Sequence, residues 1–154
     1  ATIGLIYSLS AAVDMSLFYP VGIAMDRWGR KWTGMPSVVF FVLGLILLPF
    51  AQGFYTLLGA GLILGFANGL SVGLVQIIGM DLSPPDARGE FLGVWRLISD
   101  AGWAGGPLLA GILVDVVSLS AASFAVAGLG VVGGLMFFFL VPETLHIARD
   151  QTPP

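Results

Sequence analysis

Four groups of polar side chains stand out because the residues around them suit hydrocarbon, and each group suits a different chemistry. Asp14 lies about halfway along an apolar stretch. A charged carboxylate there costs roughly 2.5–3.5 kcal/mol on insertion scales, so the group is paired, protonated or facing water. Desolvation favours the neutral form of a carboxyl. Asp14 is therefore a candidate for proton coupling or cation recognition, and a structural hydrogen bond from a protonated Asp14 to a neighbouring helix accounts for it equally well. Arg96 and Asp100 stand four residues apart, share a helix face and can pair. Arg96 is close enough to a helix end to snorkel, and Asp100 is deeper. The pair reads as a gating or structural ion pair, with direct substrate contact as the second reading. Asn68, Ser71 and Gln76 fall within a broad arc of one helix face, Asn68 near mid-membrane. They are candidates for lining a polar cavity, although uncharged polar side chains also serve as hydrogen-bond glue between helices. The fourth group, residues 26–31, holds four of the chain's fifteen formal charges: Asp26, Arg27, Arg30 and Lys31.

The rest of the chain dictates where these groups sit. It has 154 residues, 57% apolar and 10% charged, with a mean hydropathy of +0.98. Soluble domains carry about 25% charged residues, and a small domain leaves too much surface exposed to hide this much apolar area. The bilayer must be its solvent. Residues 32–80 contain no Asp, Glu, Lys or Arg. That run is about twice the ~20 residues one spanning helix needs, so it predicts two helices and a turn. The whole chain predicts an all-α membrane protein of five spanning helices over residues 3–25, 33–48, 54–80, 91–117 and 121–141. Pro20, near the end of the first, frees backbone groups that neighbouring helices must satisfy. Trp28 and Trp32 flank the first polar loop and suit the interface. In the third helix Gly61, Gly65, Gly69 and Gly73 recur every four residues. They form one stripe that lets a neighbouring backbone approach closely. The Pro84-Pro85 pair ends that helix's span and opens the second polar loop.

Charge sets the topology. Arg27, Arg30, Lys31, Arg88, Arg96 and Arg149 fall at or near one side if the five helices alternate, and the opposite turns hold only Asp115. The positive-inside rule places loops 26–32 and 81–90 and the tail 142–154 in the cytoplasm, with the N-terminus outside. Ala1-Thr2-Ile3-Gly4 has neither an initiator Met nor the basic-then-apolar pattern of a signal peptide. The chain is expected to begin partway through a longer protein.

Several function classes fall away. The chain has no cysteine, and its only histidine, His146, lies in the last ten residues, which removes disulfides, thiolate metal sites and histidine chemistry inside the membrane. No H-E-x-x-H, G-x-x-x-x-G-K or intramembrane Ser/His pair is present. The formal charge of −3 is small and says little about partners, and no nucleic-acid partner is expected. No enzyme, metal or cofactor is expected; the expected partners are lipid and a small molecule.

Gly22-x-x-x-Asp26-Arg27-x-Gly29-Arg30-Lys31 resembles in full the loop motif of the major facilitator superfamily, G-x-x-x-D-R-x-G-R-[R/K], which follows the second helix of each six-helix half. Gly102-x-x-x-Gly106-Pro107-x-x-Ala110-Gly111 is similar to the fifth-helix string of the drug–proton antiporters, with Ala110 replacing a glycine. Asp81-x-x-Pro84-x-x-x-Arg88-Gly89 resembles the connection before that helix, and Pro142-Glu143-Thr144 the end of a sixth. The resemblance implies a partial major facilitator fold, residues 1–154 forming five of the six helices of one half. It implies helices eight to twelve, because the fourth helix of the first half usually carries an intramembrane Arg where Gly65 stands here. It also implies alternating access about a midplane site, with Gly22, Asp26, Arg27, Gly29, Arg30 and Lys31 as a conformational latch and Gly102, Gly106, Pro107 and Gly111 as a helix-packing motif. The implied function is proton-coupled export of a drug or metabolite from the plasma membrane, completed by an N-terminal half of the same protein. Two alternatives are a sugar or organic-acid importer of the same superfamily and a membrane scaffold or degenerate half-transporter without transport of its own.

Overall fold

In the computed structural model, residues 2–71 and 73–142 are described. The tail beyond Pro142, with Glu143, Thr144, His146 and Arg149, lies outside them, as does the expectation that it is cytoplasmic. All regular structure among the described residues is helical. The elements are α1 (Thr2–Trp28), α2 (Arg30–Leu47), α3 (Phe54–Ser71), α4 (Leu74–Asp81), α5 (Arg88–Val116) and α6 (Leu119–Leu140), with short 3-10 turns at Leu48–Phe50 and Pro85–Ala87. With α3 and α4 counted as one span, five helical segments are long and apolar enough to cross a membrane.

Two of the boundaries that differ from the expectations fall at a glycine. The loop expected over residues 26–32 shrinks to one residue: α1 runs to Trp28, α2 begins at Arg30, and Gly29 alone turns the chain. Gly29 has φ 101° and ψ 158°, an extended positive-φ conformation that is essentially glycine's alone and costs another residue roughly 1–3 kcal/mol. Its N–H donates to Met25 O at 3.1 Å and closes α1. Its carbonyl accepts from the Thr33 hydroxyl at 2.9 Å and opens α2. The helix expected over 54–80 breaks at Gly73, φ 78°, where the Gly73 carbonyl accepts from the Ile77 N–H at 2.8 Å and starts α4. Gly73 therefore ends the expected stripe instead of continuing it. A loop expected over 81–90 is shorter too, since α5 starts at Arg88.

The remaining stripe glycines do what the spacing requires. Side chains at 61 and 69 would press on α1: a methyl at Gly61 falls 3.0 Å from Ile6 Cγ2, and one at Gly69 falls 2.9 Å from the Asp14 carbonyl oxygen. A methyl at Gly65 would meet the Ser10 backbone. The two helices thus pack nearly backbone to backbone, the arrangement small residues permit in membranes. Gly44 of α2 accommodates Leu64 of α3, and Gly134 of α6 accommodates Val38 of α2. A tight cluster of Val21, Met25, Leu74 and Ile78 forms the core near the polar-loop end, with Trp95 and Phe137 packed on it. Helix α5 lies outside this core. It touches α4 and α6 and buries none of its residues.

Candidate functional site

The one-residue turn at Gly29 places Arg30 in the first turn of α2, folded back beneath the end of α1. There the guanidinium meets three oxygens. Its Nε donates to Asp81 Oδ2 at 3.0 Å, its Nη1 donates to the Met25 carbonyl at 3.1 Å, and Nη1 lies 3.5 Å from Asp26 Oδ1. Burial separates the two ion pairs. The Arg30 and Asp81 side chains are 8% and 10% exposed, whereas Asp26 is 74% exposed. An exposed i,i+4 pair contributes about 0.3–0.5 kcal/mol. Removing one partner of a buried pair costs about 3–5 kcal/mol, because a charge is left without compensation. Arg30 and Asp81 therefore hold the two polar connections together, and Asp26 adds little to that local bond. Arg27 is exposed, Gly22 has open space where a side chain would begin, and Lys31 Nζ sits 4.7 Å from the centre of the Phe138 ring of α6. Asp81 was absent from the expected site. The available signal was an acid at the start of the second polar connection, predicted to lie on the same membrane side as Arg30.

A second polar point lies at mid-helix. The close approach of α3 to α1 brings Asn68 onto Asp14, and Asn68 Nδ2 donates to Asp14 Oδ2 at 2.9 Å. Asp14 Oδ1 is buried and has no hydrogen-bond partner among the described residues. Both side chains line a hollow of about 420 Å³ whose other walls, Phe41, Leu57 and Leu64 among them, are largely apolar.

Asn68 also borders a third region. A groove of about 490 Å³ runs between the break at Gly73 and α5, lined by Asn68, Ser71, Gln76, Ser99, Asp100 and Trp103. The three uncharged candidates thus share one groove with Asp100, though Gln76 reaches it from α4, beyond the break, and not from one unbroken helix face. Ser71 turns its hydroxyl to the Asn68 carbonyl at 2.9 Å. Helix α5 is held beside α4 by the Trp95 indole, which donates to the Val75 carbonyl at 2.9 Å and covers Gly79 so closely that a methyl there falls 2.6 Å from it. Arg96 and Asp100 pair as their spacing requires, with Nε 3.5 Å from Oδ2, but both are exposed, at 74% and 68%. Gly102, Gly106 and Gly111 face open space and pack against nothing within the described residues; Pro107 is continuous with the helix.

Five spanning helices, a buried ion pair tying two connections on one side, and a carboxyl at mid-helix beside a polar groove define a multi-pass membrane protein built around its polar interior. The sequence matches the model of the Major Facilitator Superfamily over residues 1–153. The chain belongs to that superfamily, and so to a family of membrane transporters. It is 32% identical to the MFS-type transporter gkaD of Penicillium citrinum over 142 residues, 92% of this chain and 24% of the relative. It is 36% identical to the MFS-type efflux transporter pyiT of Pyricularia grisea over 125 residues, 80% of this chain and 21% of the relative. It is 33% identical to a probable quinate permease of Aspergillus flavus over 107 residues, 68% of this chain and 19% of the relative. The chain thus spans at most about a quarter of the length of these relatives.

Proposed function

We propose that this segment forms helices eight to twelve of a proton-coupled transporter that exports small molecules from the cell by alternating access. The observation that carries the reading is the position of Asn68. Its amide holds Asp14, and its side chain also borders the polar groove, so one residue joins a protonatable group to the place where a solute fits. A proton on Asp14 Oδ1, which has no hydrogen-bond partner among the described residues, removes a charge that hydrocarbon disfavours. A solute that draws the Asn68 amide toward the groove takes away the hydrogen bond it gives to the Asp14 carboxyl. Solute occupancy and proton occupancy are thereby linked through a single side chain.

The relative named as an efflux transporter supports the outward direction. In this reading an N-terminal half covers the open glycine face of α5, and the segment rocks against that half with the Arg30 network as its latch. The polar connections and the tail lie on the cytoplasmic side of the plasma membrane, as the positive-inside rule directs. The likeness to a quinate permease favours a second reading, uptake of a hydroxylated acid through the same groove.

Reconstituting the intact protein in vesicles with an imposed pH gradient separates these possibilities. Asp14→Asn is expected to abolish gradient-driven flux while the protein still reaches the membrane. Unchanged flux overturns the coupling role, and solute accumulation in the opposite direction favours the permease reading.

A further inference from the structure

The seam between α2 and α6 opens on one side into a groove of about 250 Å³. Met35, Val39 and Leu43 of α2 and Val131, Gly134 and Leu135 of α6 line it, and no polar side chain does. Gly134 is buried, and a methyl there would fall 2.5 Å from Val38 Cγ1, so the two helices close up where it stands. Val39, Leu43, Val131 and Leu135 remain 45–52% exposed along the groove. No residue of α5, the helix proposed to meet a further half, lines it. Such walls offer water no hydrogen-bond partner, and an empty space forfeits the contacts its lining could make. Hydrocarbon must fill it.

The two ends of the groove differ. Toward the polar connections, Lys31 stands one turn before Met35 and Phe138 one turn after Gly134, on the helix faces that line the groove. There Lys31 Nζ lies 4.7 Å from the centre of the Phe138 ring, so the ring holds the ammonium at the groove's end. The Trp32 indole beside it is 75% exposed and suits the interface. In the other direction α2 carries no charge. From Lys31 to Leu43 the helix rises about 18 Å, between the ~15 Å of one hydrocarbon leaflet and the ~20 Å of a leaflet with its headgroups. The local charge favours an anion, since three bases, Arg27, Arg30 and Lys31, stand against two acids, Asp26 and Asp81.

We propose that the α2–α6 groove seats one acyl chain of an anionic phospholipid, whose phosphate is held by Lys31 at the groove's end. A zwitterionic lipid fits the same groove but brings a cation of its own to Lys31, so the groove retains the chain and the lysine selects the headgroup. The assignment does not depend on which solute is carried.

The intact protein, stripped of lipid in detergent, is titrated with phosphatidylglycerol and with phosphatidylcholine of the same chains, and bound lipid is counted by native mass spectrometry. Retention of phosphatidylglycerol is expected to exceed that of phosphatidylcholine by about fivefold, the preference that one basic residue at a membrane surface supplies. Lys31→Gln is expected to bring the ratio to about one and Lys31→Arg to keep it. A general weakening of the fold does not move a ratio of two lipids on one protein. Val39→Trp fills the groove from its exposed side and is expected to lower retention of both lipids by about threefold or more. Equal retention of the two lipids by the unaltered protein overturns the proposal, as does a preference that survives Lys31→Gln or a retention indifferent to Val39→Trp. Glycerol 3-phosphate competing as strongly as the whole lipid also overturns it, since the site is then for the headgroup alone. So does a lipid-free dimer that dissociates in Val39→Trp, which gives the groove to a second copy of the chain.

Discussion

Arg30 and Asp26 belong to one motif, yet their surroundings give them different weights. Arg30 is buried against Asp81 and the Met25 carbonyl, whereas Asp26 stands in solvent. Arg30→Ala is expected to destabilise the fold by about 3–5 kcal/mol, because it removes one partner of a buried ion pair. Asp26→Ala is expected to cost no more than about 0.5 kcal/mol. Thermal unfolding of both variants in detergent checks the ordering, and equal losses contradict it. Pairing Arg30→Ala with Asp81→Ala in a double-mutant cycle is expected to return a coupling above about 1 kcal/mol. If Asp26 acts as a latch, its effect belongs to conformational exchange and not to stability. Asp26→Ala is then expected to change the accessibility of cavity cysteines without lowering the melting temperature, and an unchanged labelling pattern counts against the latch. The motif string made these residues visible before any fold was known. It did not reveal Asp81, because a salt bridge across 51 residues leaves no local spacing to read.

The helices themselves depend on two kinds of glycine. Gly65 and Gly69 exist for contact, and Gly29 and Gly73 exist for backbone conformation. A methyl at Gly65 would collide with Ser10 backbone, which cannot rotate away as a side chain can, so Gly65→Ala is expected to part α1 from α3 and break the Asn68–Asp14 hydrogen bond with them. Gly73→Ala meets no obstruction closer than Ile77 Cδ1 at 3.9 Å. Its cost is conformational alone, about 1–2 kcal/mol for φ 78°. Melting temperature separates the two variants: Gly65→Ala is expected to lose more stability than Gly73→Ala. Four-residue spacing marked all four glycines from 61 to 73 as one stripe. The different role of the last was hidden because spacing reports which face a residue occupies and not its φ.

For the molecule as a whole, the bilayer acts as solvent and the charge asymmetry as compass. Exposed Leu, Phe, Ile and Val line the outside of the first, second, fourth and fifth spans, as suits a surface where lipid replaces water. The connection between α5 and α6 is capped by Ser118, whose hydroxyl accepts from the Ala121 N–H at 3.2 Å. The connection between α4 and α5 carries Asp86, and Arg88 opens α5 behind it. In intact cells, a cysteine placed at Ser118 is expected to react with an impermeant maleimide from outside. One placed at Ala87 is expected to react only after permeabilisation. The reverse pattern inverts the topology. Helix α5, with no buried residue and its glycines open, marks the face on which a further half is proposed to pack.

Composition alone determined the membrane environment, the helical class and the five spans, because hydrocarbon tolerates little other than long apolar helices. The charged string at residues 22–31 led to the family on its own, since its spacing encodes a turn and a charge pattern together. Tertiary structure decided the rest: that Arg30 finds Asp81, that Asn68 holds Asp14 while bordering the groove, and that the third span breaks at Gly73 so that Gln76 and Asp100 face the same space. Each of these depends on a distance between residues far apart in the chain or on the sign of a backbone angle. Neither quantity is carried by residue types in a row.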